Sequence, residues 1–227
     1  MDKAESWLYK TLHYRFEDAD LLKQALTHRS ATGSNNERLE FLGDAVLDLV
    51  ISDAVYRARP DATEGDLSRL RASLVKEKTL AALALELGVG EYLVLGGGEM
   101  KTGGHRRESI LADALESIVG AVYLDSGIEA ARDVIERVFA KRLDELPAAD
   151  ELRDPKTRLQ EWLQARGMGL PEYELVNVTG KAHKQTFEVS CRVGQTVSVT
   201  HGTSTTRRKA EQKAAADMLA ELLESQA

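Results

Sequence analysis

The sequence predicts two domains of different class, an all-α domain followed by a small α+β domain of order αβββα. Three observations carry this. Apolar residues recur every three or four positions from residue 1 to 146 with few β-branched runs, which is helical spacing without strand signals. Past Gly169 the period becomes two. Between these regions lies PAADELRDP, Pro147 to Pro155, a short polar stretch with a proline at each end that reads as a linker. The expected division is residues 1–146, a linker at 147–154, and residues 155–227.

In the first region, helix breaks are expected at Ala31–Asn35, Arg59–Thr63, Gly96–Gly104 and Ser126-Gly127. These leave about six or seven helices. In the second, Asp154 caps a helix with Pro155 at its first position. Tyr173–Thr179 supplies a strand. Phe187, Val189, Cys191 and Val193 alternate with Glu188, Ser190 and Arg192, and Val197 and Val199 repeat the pattern. Arg207–Leu223 closes the order as a helix with Ala210, Ala214, Met218 and Leu222 on one stripe.

Composition narrows the function classes. The chain of 227 residues is 43% hydrophobic and 30% charged, a globular balance. No window approaches the ~18 uncharged apolar residues of a spanning helix, and Met1–Tyr14 mixes charges into its apolar residues, unlike a signal peptide. A cytoplasmic protein with no membrane partner is expected. Cys191 is the only cysteine, so neither an internal disulfide nor a thiolate metal site is available. It sits on the apolar side of its strand and reads as core. The net charge of −7 is unevenly placed: residues 1–154 hold 20 Lys and Arg against 29 Asp and Glu, residues 155–227 hold 10 against 8. An acidic front either never meets nucleic acid or meets it through bound metal, whereas the tail is net positive.

Two helices concentrate the acids. In NERLEFLGDAVL (Asn36–Leu47), Glu37, Glu40 and Asp44 fall within about 60° of one another, while Leu39, Leu42, Val46, Leu49 and Val50 gather opposite. In ESILADALESIVGAVY (Glu108–Tyr123), Asp113 and Glu116 share a face opposite Leu111, Leu115, Ile118 and Val122. A solvated helix edge explains any one such face, and Glu37 has a further excuse in the first turn behind an expected Asn36 cap. Glu40 and Asp44 lack it, and like charges at i, i+4 cost a few tenths of a kcal/mol unless a cation intervenes. Facing each other, the helices would offer a hard-oxygen site for Mg²⁺ or Mn²⁺. Spacing alone leaves a solvated face and a metal site both open.

NERLEFLGDAVL closely resembles the signature stretch of the ribonuclease III family, and ESILADALESIVGAVYLD resembles that family's second acidic block. The similarity runs on through LLKQALTHRS (residues 21–30), EGDLSRLRASLV (residues 64–75) and the tail. It implies that Glu40, Asp44, Asp113 and Glu116 hold Mg²⁺, with Mn²⁺ tolerated, and that Asp44 and Glu116 stand closest to the chemistry. Glu37 and Glu64 would lie in the catalytic valley. The implied reaction cuts double-stranded RNA, including rRNA and mRNA precursors, and leaves a 5′ phosphate and a 3′ hydroxyl. Cutting both strands implies a homodimer of the nuclease domain.

Residues 155–223 resemble a double-stranded-RNA-binding domain, with TTRRKAEQKAAADML at the last helix. Arg207, Arg208 and Lys209 stand at the positive end of that helix's dipole, where cations are disfavoured unless an anion such as phosphate joins them. Ser204 stands where a second glycine after Gly202 is usual. Gln160, Glu161 and His183 match positions at which this domain type reaches successive minor grooves, whose 2′ hydroxyls distinguish RNA from DNA.

Other signals are weaker. LGGGEMKTGG fails the phosphate-loop pattern, since Gly104 and His105 follow Gly103, and reads as a loop. Arg106 and Arg107 at its end are candidate phosphate contacts, a solvated loop being the alternative. His28 in THRS reads as structural and receives no catalytic role. Two rival functions remain, a non-catalytic binder whose helical domain only dimerises and a metal phosphohydrolase of small phosphates.

Overall fold

The structure, a computed structural model, describes residues 3–181, 184–194 and 198–225, and of residues 149 and 150 the backbone alone. His183 and Val197, named above for RNA contact and for the third strand, lie outside the described residues. The chain divides into two compact units, Met1–Ala149 and Asp150–Ala227.

The first unit is helical: α1 (Lys3–Leu12), α2 (Ala19–Ala25), α3 (Glu37–Ala58), α4 (Glu64–Val75), α5 (Glu77–Glu86), α6 (Gly97–Lys101) and α7 (Glu108–Asp144). Side-chain caps start two of them, Asp18 accepting from the Asp20 N–H and Thr63 from the Asp66 N–H. α7 kinks at Gly127, whose φ of 80° only glycine adopts without strain. The expected loop at Gly96–Gly104 contains the five-residue α6 and runs into a 3₁₀ turn at Gly104–Arg106. Thr27 and Val94 form a parallel bridge, the one strand-like contact among the unit's described residues.

α3 lies along α7 at the centre. A Cβ at Gly43 would meet the Glu116 carbonyl oxygen at 1.8 Å, and one at Gly120 would meet the Leu39 carbonyl oxygen at 2.2 Å, so the two backbones touch where only glycines fit. Leu39, Val46, Leu47, Val50 and Ile51 of α3 are buried with Leu115, Ile118 and Val122 of α7. Each such side chain contributes roughly 1.5–3 kcal/mol by burial. Leu49, expected in this core, is instead 59% exposed, and with Phe41 (81%) and Tyr56 (69%) it gives α3 a second, outward apolar face. Asp125, just before the kink, accepts from the Tyr14 hydroxyl (2.5 Å) and from the Glu17 and Asp18 N–H groups (3.0 and 2.9 Å), tying the start of α2 to α7. Burial and the bond to Asp125 push the Tyr14 hydroxyl up to about 12.

The second unit runs α8 (Pro155–Gln164), β1 (Pro171–Thr179), β2 (Thr186–Val193), β3 (Val199–Ser204) and α9 (Arg207–Glu224). The strands form an antiparallel sheet in the order β1-β2-β3. Asp154 caps α8 through the Lys156 N–H, and Thr206 caps α9 through the Lys209 N–H. Leu159, Leu163, Cys191, Val193, Ala214, Met218 and Leu219 make the core. Gly202 is a packing residue: a Cβ there would meet the Ala210 carbonyl oxygen at 2.0 Å, so β3 can lie flat on α9.

Candidate metal centre and nucleic-acid interface

The close glycine contact of α3 with α7 brings their acidic edges together. One carboxylate oxygen each from Glu40, Asp113 and Glu116 can be chosen so that all three lie within 4.8 Å of one another, and all three side chains are half-buried. Asp44, one turn further along α3 and exposed, lies outside that group but close enough to act on Glu116. Burial, followed by the charges of Asp44, Asp113, Glu40 and Asp48, pushes the Glu116 carboxyl up to about 8. Burial also raises Glu40, reinforced chiefly by Asp113 and Glu37. Asp113 is raised by burial and Glu77, and pulled back by His28 and Arg29.

These shifts test whether a cation fits. Carboxylates that crowd until one keeps its proton to about pH 8 form a site whose ionisation is completed by an added positive charge, and an all-oxygen donor set of this kind suits a hard divalent ion. The remaining sequence candidates sit at varying remove. Glu37 is engaged at both oxygens, by Arg29 (3.3 Å) and Asn35 (3.4 Å). The expected Asn36 cap is replaced by Asn35, whose side chain accepts from the Glu37 N–H, while the buried Asn36 makes no side-chain cap bond. Glu64, at the start of α4, accepts from the Ser68 hydroxyl (2.9 Å) and is not among the clustered acids. His28, Arg29, Asp48 and Glu77 are neighbours of the centre that sequence reasoning did not place there. The THRS segment was the available signal for the first two.

Arg107 is ion-paired with Glu99, and the Arg106 Nε–H donates to His105 Nε2 at 3.1 Å. In the second unit Gln160 is exposed, and the exposed Glu161 pairs with Arg153 at 2.8 Å. Arg207 bonds Glu211 at 3.0 Å and Arg208 lies 3.7 Å from Asp154, both remaining largely exposed. Glu211 also takes Lys156 at 2.6 Å, which links the starts of α8 and α9, and these two cations hold its carboxyl below the usual range. Lys209 is exposed on the same first turn.

Residues 18–143 match the family described as Ribonuclease-III-like, and residues 155–222 match the double-stranded RNA binding motif. The chain is similar to the protein named Ribonuclease 3 of Alkalilimnicola ehrlichii, 56% identical over 98% of this chain and 97% of the relative. It is likewise similar to Ribonuclease 3 of Shewanella denitrificans, 55% identical over 93% and 94%. Among solved structures it resembles the nuclease domain of ribonuclease III from Campylobacter jejuni, with a TM-score of 0.59 and 45% identity over 62% of this chain and 97% of that one. A second structure of that domain, reported for flexibility in a region involved in dimer formation, gives a TM-score of 0.58 at 46% identity, over 60% of this chain and 95% of that one.

Proposed function

Because the chain belongs to the ribonuclease III family, endoribonucleases acting on double-stranded RNA, we propose that it hydrolyses the phosphodiesters of RNA duplexes at the α3–α7 carboxylates, leaving 5′ phosphate and 3′ hydroxyl ends. The observation that carries this reading is the convergence of Glu40, Asp113 and Glu116 from two helices, with Asp44 beside them. These four would hold the cation, Mg²⁺ by preference with Mn²⁺ tolerated, and Asp44 and Glu116 stand nearest the reacting phosphate. When bound, the cation supplies the charge that activates water and steadies the leaving oxygen, as in metal-assisted phosphodiester hydrolysis. The chain's own residues orient. α3 and α7 fix the carboxylates on rigid backbone, while Glu37, tied to Arg29, and Glu64 border the strand. No nucleophilic side chain is required, consistent with a site made of acids.

Residues 1–146 form the nuclease domain, residues 147–154 the linker, and residues 155–227 the duplex-gripping domain. Arg207, Arg208 and Lys209 contact phosphates, Gln160, Glu161 and His183 reach the minor grooves, and Arg106 and Arg107 touch phosphate beside the metal centre. A second copy covers the apolar face of Phe41, Leu49 and Tyr56 on α3, so that two centres cut opposite strands. Buried, unbridged Cys191 suits a cytoplasmic enzyme processing rRNA and mRNA precursors.

A long duplex and a mononucleotide, each incubated with Mg²⁺, test the reading. The duplex is cut, the mononucleotide is untouched, and chelator stops the reaction. Glu116→Gln abolishes cleavage while duplex affinity stays within about twofold, since a metal ligand is lost and no phosphate contact. Cleavage persisting in strong chelator refutes the metal centre, and equal loss of binding assigns Glu116 to the fold.

A further inference from the structure

The segment after α2 crosses the amino-terminal end of α3. Two contacts hold it there: the Asn36 N–H donates to the Thr27 carbonyl at 2.9 Å, and Arg29 reaches Glu37 at 3.3 Å. His28 stands between these anchors, its own N–H donating to the Val94 carbonyl at 3.0 Å. Its ring is half-buried, and in its cationic form it lowers the Asp113 carboxyl, which puts it near that acid; the neutral form is the donor that remains once that charge is lost.

One of the ring's hydrogen bonds, from a backbone N–H, favours a single tautomer. The Ser30 backbone N–H points at His28 Nδ1 from 3.2 Å, and the Ser30 hydroxyl lies 2.8 Å from the same nitrogen. That hydroxyl already accepts from the Gly96 N–H at 2.9 Å, which leaves its own hydrogen free to face the ring. A backbone N–H only donates, so Nδ1 has to present a lone pair; a proton on it would set two hydrogens against each other. A neutral imidazole then carries its single proton on Nε2. No acceptor among the described residues takes that N–H.

The chemistry of the centre gives such a donor a purpose. Ionised Glu40, Asp44, Asp113 and Glu116 are acceptors only, and so are the nonbridging oxygens of a phosphodiester. A cationic side chain there would be drawn onto the carboxylates, as Arg29 is onto Glu37. A neutral N–H, held by a loop, keeps its hydrogen bond for the substrate. We propose that His28 is a further substrate-contacting residue, a neutral Nε2–H donor fixed by Ser30 and Gly96 that bonds a phosphate oxygen of the RNA strand at the Glu40–Asp113–Glu116 cluster. The assignment rests on the phosphodiester-cleaving function proposed above.

Two substitutions separate the ring's two nitrogens. Glutamine carries an amide N–H out to the place of Nε2, whereas asparagine offers a carbonyl oxygen near the place of Nδ1 and nothing further out. His28→Gln is expected to keep kcat/KM on a long duplex within about twofold of the parent, and His28→Asn to lose roughly five- to tenfold, the scale of one neutral hydrogen bond. The reverse order means that only the Ser30 anchor matters and overturns the proposal, and so do equal values for the two variants. Nitrogen-15 NMR of the parent's imidazoles is the second measurement, valid even if both variants melt early: His28 protonated at Nε2 alone supports the assignment, and protonation at Nδ1 overturns it. The parent is assayed in parallel, and its failure to cut the duplex refutes the nuclease function itself, whichever tautomer the ring shows.

Discussion

Glu116 sits where folding and the proposed metal chemistry pull in opposite directions. Burial and four neighbouring carboxylates lift it from an ordinary 4.5 to about 8 in the absence of a cation. Between those values the folded protein binds a proton that the unfolded chain has released, so stability falls as pH rises across the window and the full penalty is present above pH 8. Glu40 and Asp113 act in the same sense. The lowered carboxylates, Asp53, Glu86, Asp125, Asp154 and Glu211, act oppositely but below about pH 4. Thermal melts of chelator-treated protein should therefore decline from pH 5 to pH 8, Glu116→Gln should flatten the decline, and Mg²⁺ should restore Tm most at the alkaline end. A metal-free Tm that rises over this range would contradict the crowded-carboxylate account. That these acids share helix faces was legible in the sequence, because helical spacing groups Glu37 and Glu40 with Asp44, and Asp113 with Glu116, but spacing alone left a solvated face as open as a metal site. Their protonation was not legible, nor was the seating of His28, whose partner Ser30 takes the Gly96 N–H from 66 residues away.

At the scale of elements, α3 and α7 position the centre through Gly43 and Gly120. Alanine in place of Gly43 would gain up to about 1 kcal/mol of helix propensity, but its methyl would fall 1.8 Å from a carbonyl oxygen and force the helices apart. A net loss of about 3 kcal/mol is expected, with loss of cleavage. Gly98→Ala in α6, where a Cβ meets nothing within 4 Å, is the control and should be neutral or slightly stabilising. Urea unfolding of the two variants reads the difference; similar midpoints would mean that the helices are not in backbone contact. Periodicity found both helices without revealing that they touch through glycines, since an amphipathic pattern names a face and not the partner it meets. Leu49 shows the same limit: α3 is apolar on two faces, and only the inward one belongs to this unit's core. α9 shows a related limit. Arg207, Arg208 and Lys209 oppose the helix dipole, from which their removal would be expected to stabilise the fold. The structure sets Glu211 and Asp154 against Arg207 and Arg208, which cancels most of that gain. Replacing all three by alanine should leave Tm within about two degrees, weaken unrelated duplexes by similar factors, and lower the slope of log K against log salt by up to about three contacts' worth. An unchanged slope would assign the cluster to the fold.

At the scale of the whole molecule, the acids proposed for catalysis and the cations proposed to grip the duplex belong to separate compact units, with the net negative charge confined to residues 1–154. A chain ending at Glu151 keeps every residue of the α3–α7 centre, the outward face of α3, and His28 with its loop. It is comparable in extent to the Campylobacter jejuni nuclease domain, of which this chain covers 97%. Such a truncated protein is expected to remain folded and dimeric by light scattering and to cut duplex RNA. It loses most of the proposed phosphate contacts, and an acidic surface meeting a polyanion is more sensitive to screening and to the cation that neutralises it. Its cleavage should accordingly be confined to low salt or to the favoured divalent ion, with KM raised far more than kcat is lowered, because on the proposed function the deleted unit binds the duplex and the α3–α7 acids alone meet the reacting phosphate. Steady-state kinetics of the full and shortened chains across a salt series measures this. If kcat collapses at every salt and metal concentration while the shortened chain stays folded and dimeric, the second unit contributes directly to the chemistry, and the assignment of catalysis to α3 and α7 alone is wrong.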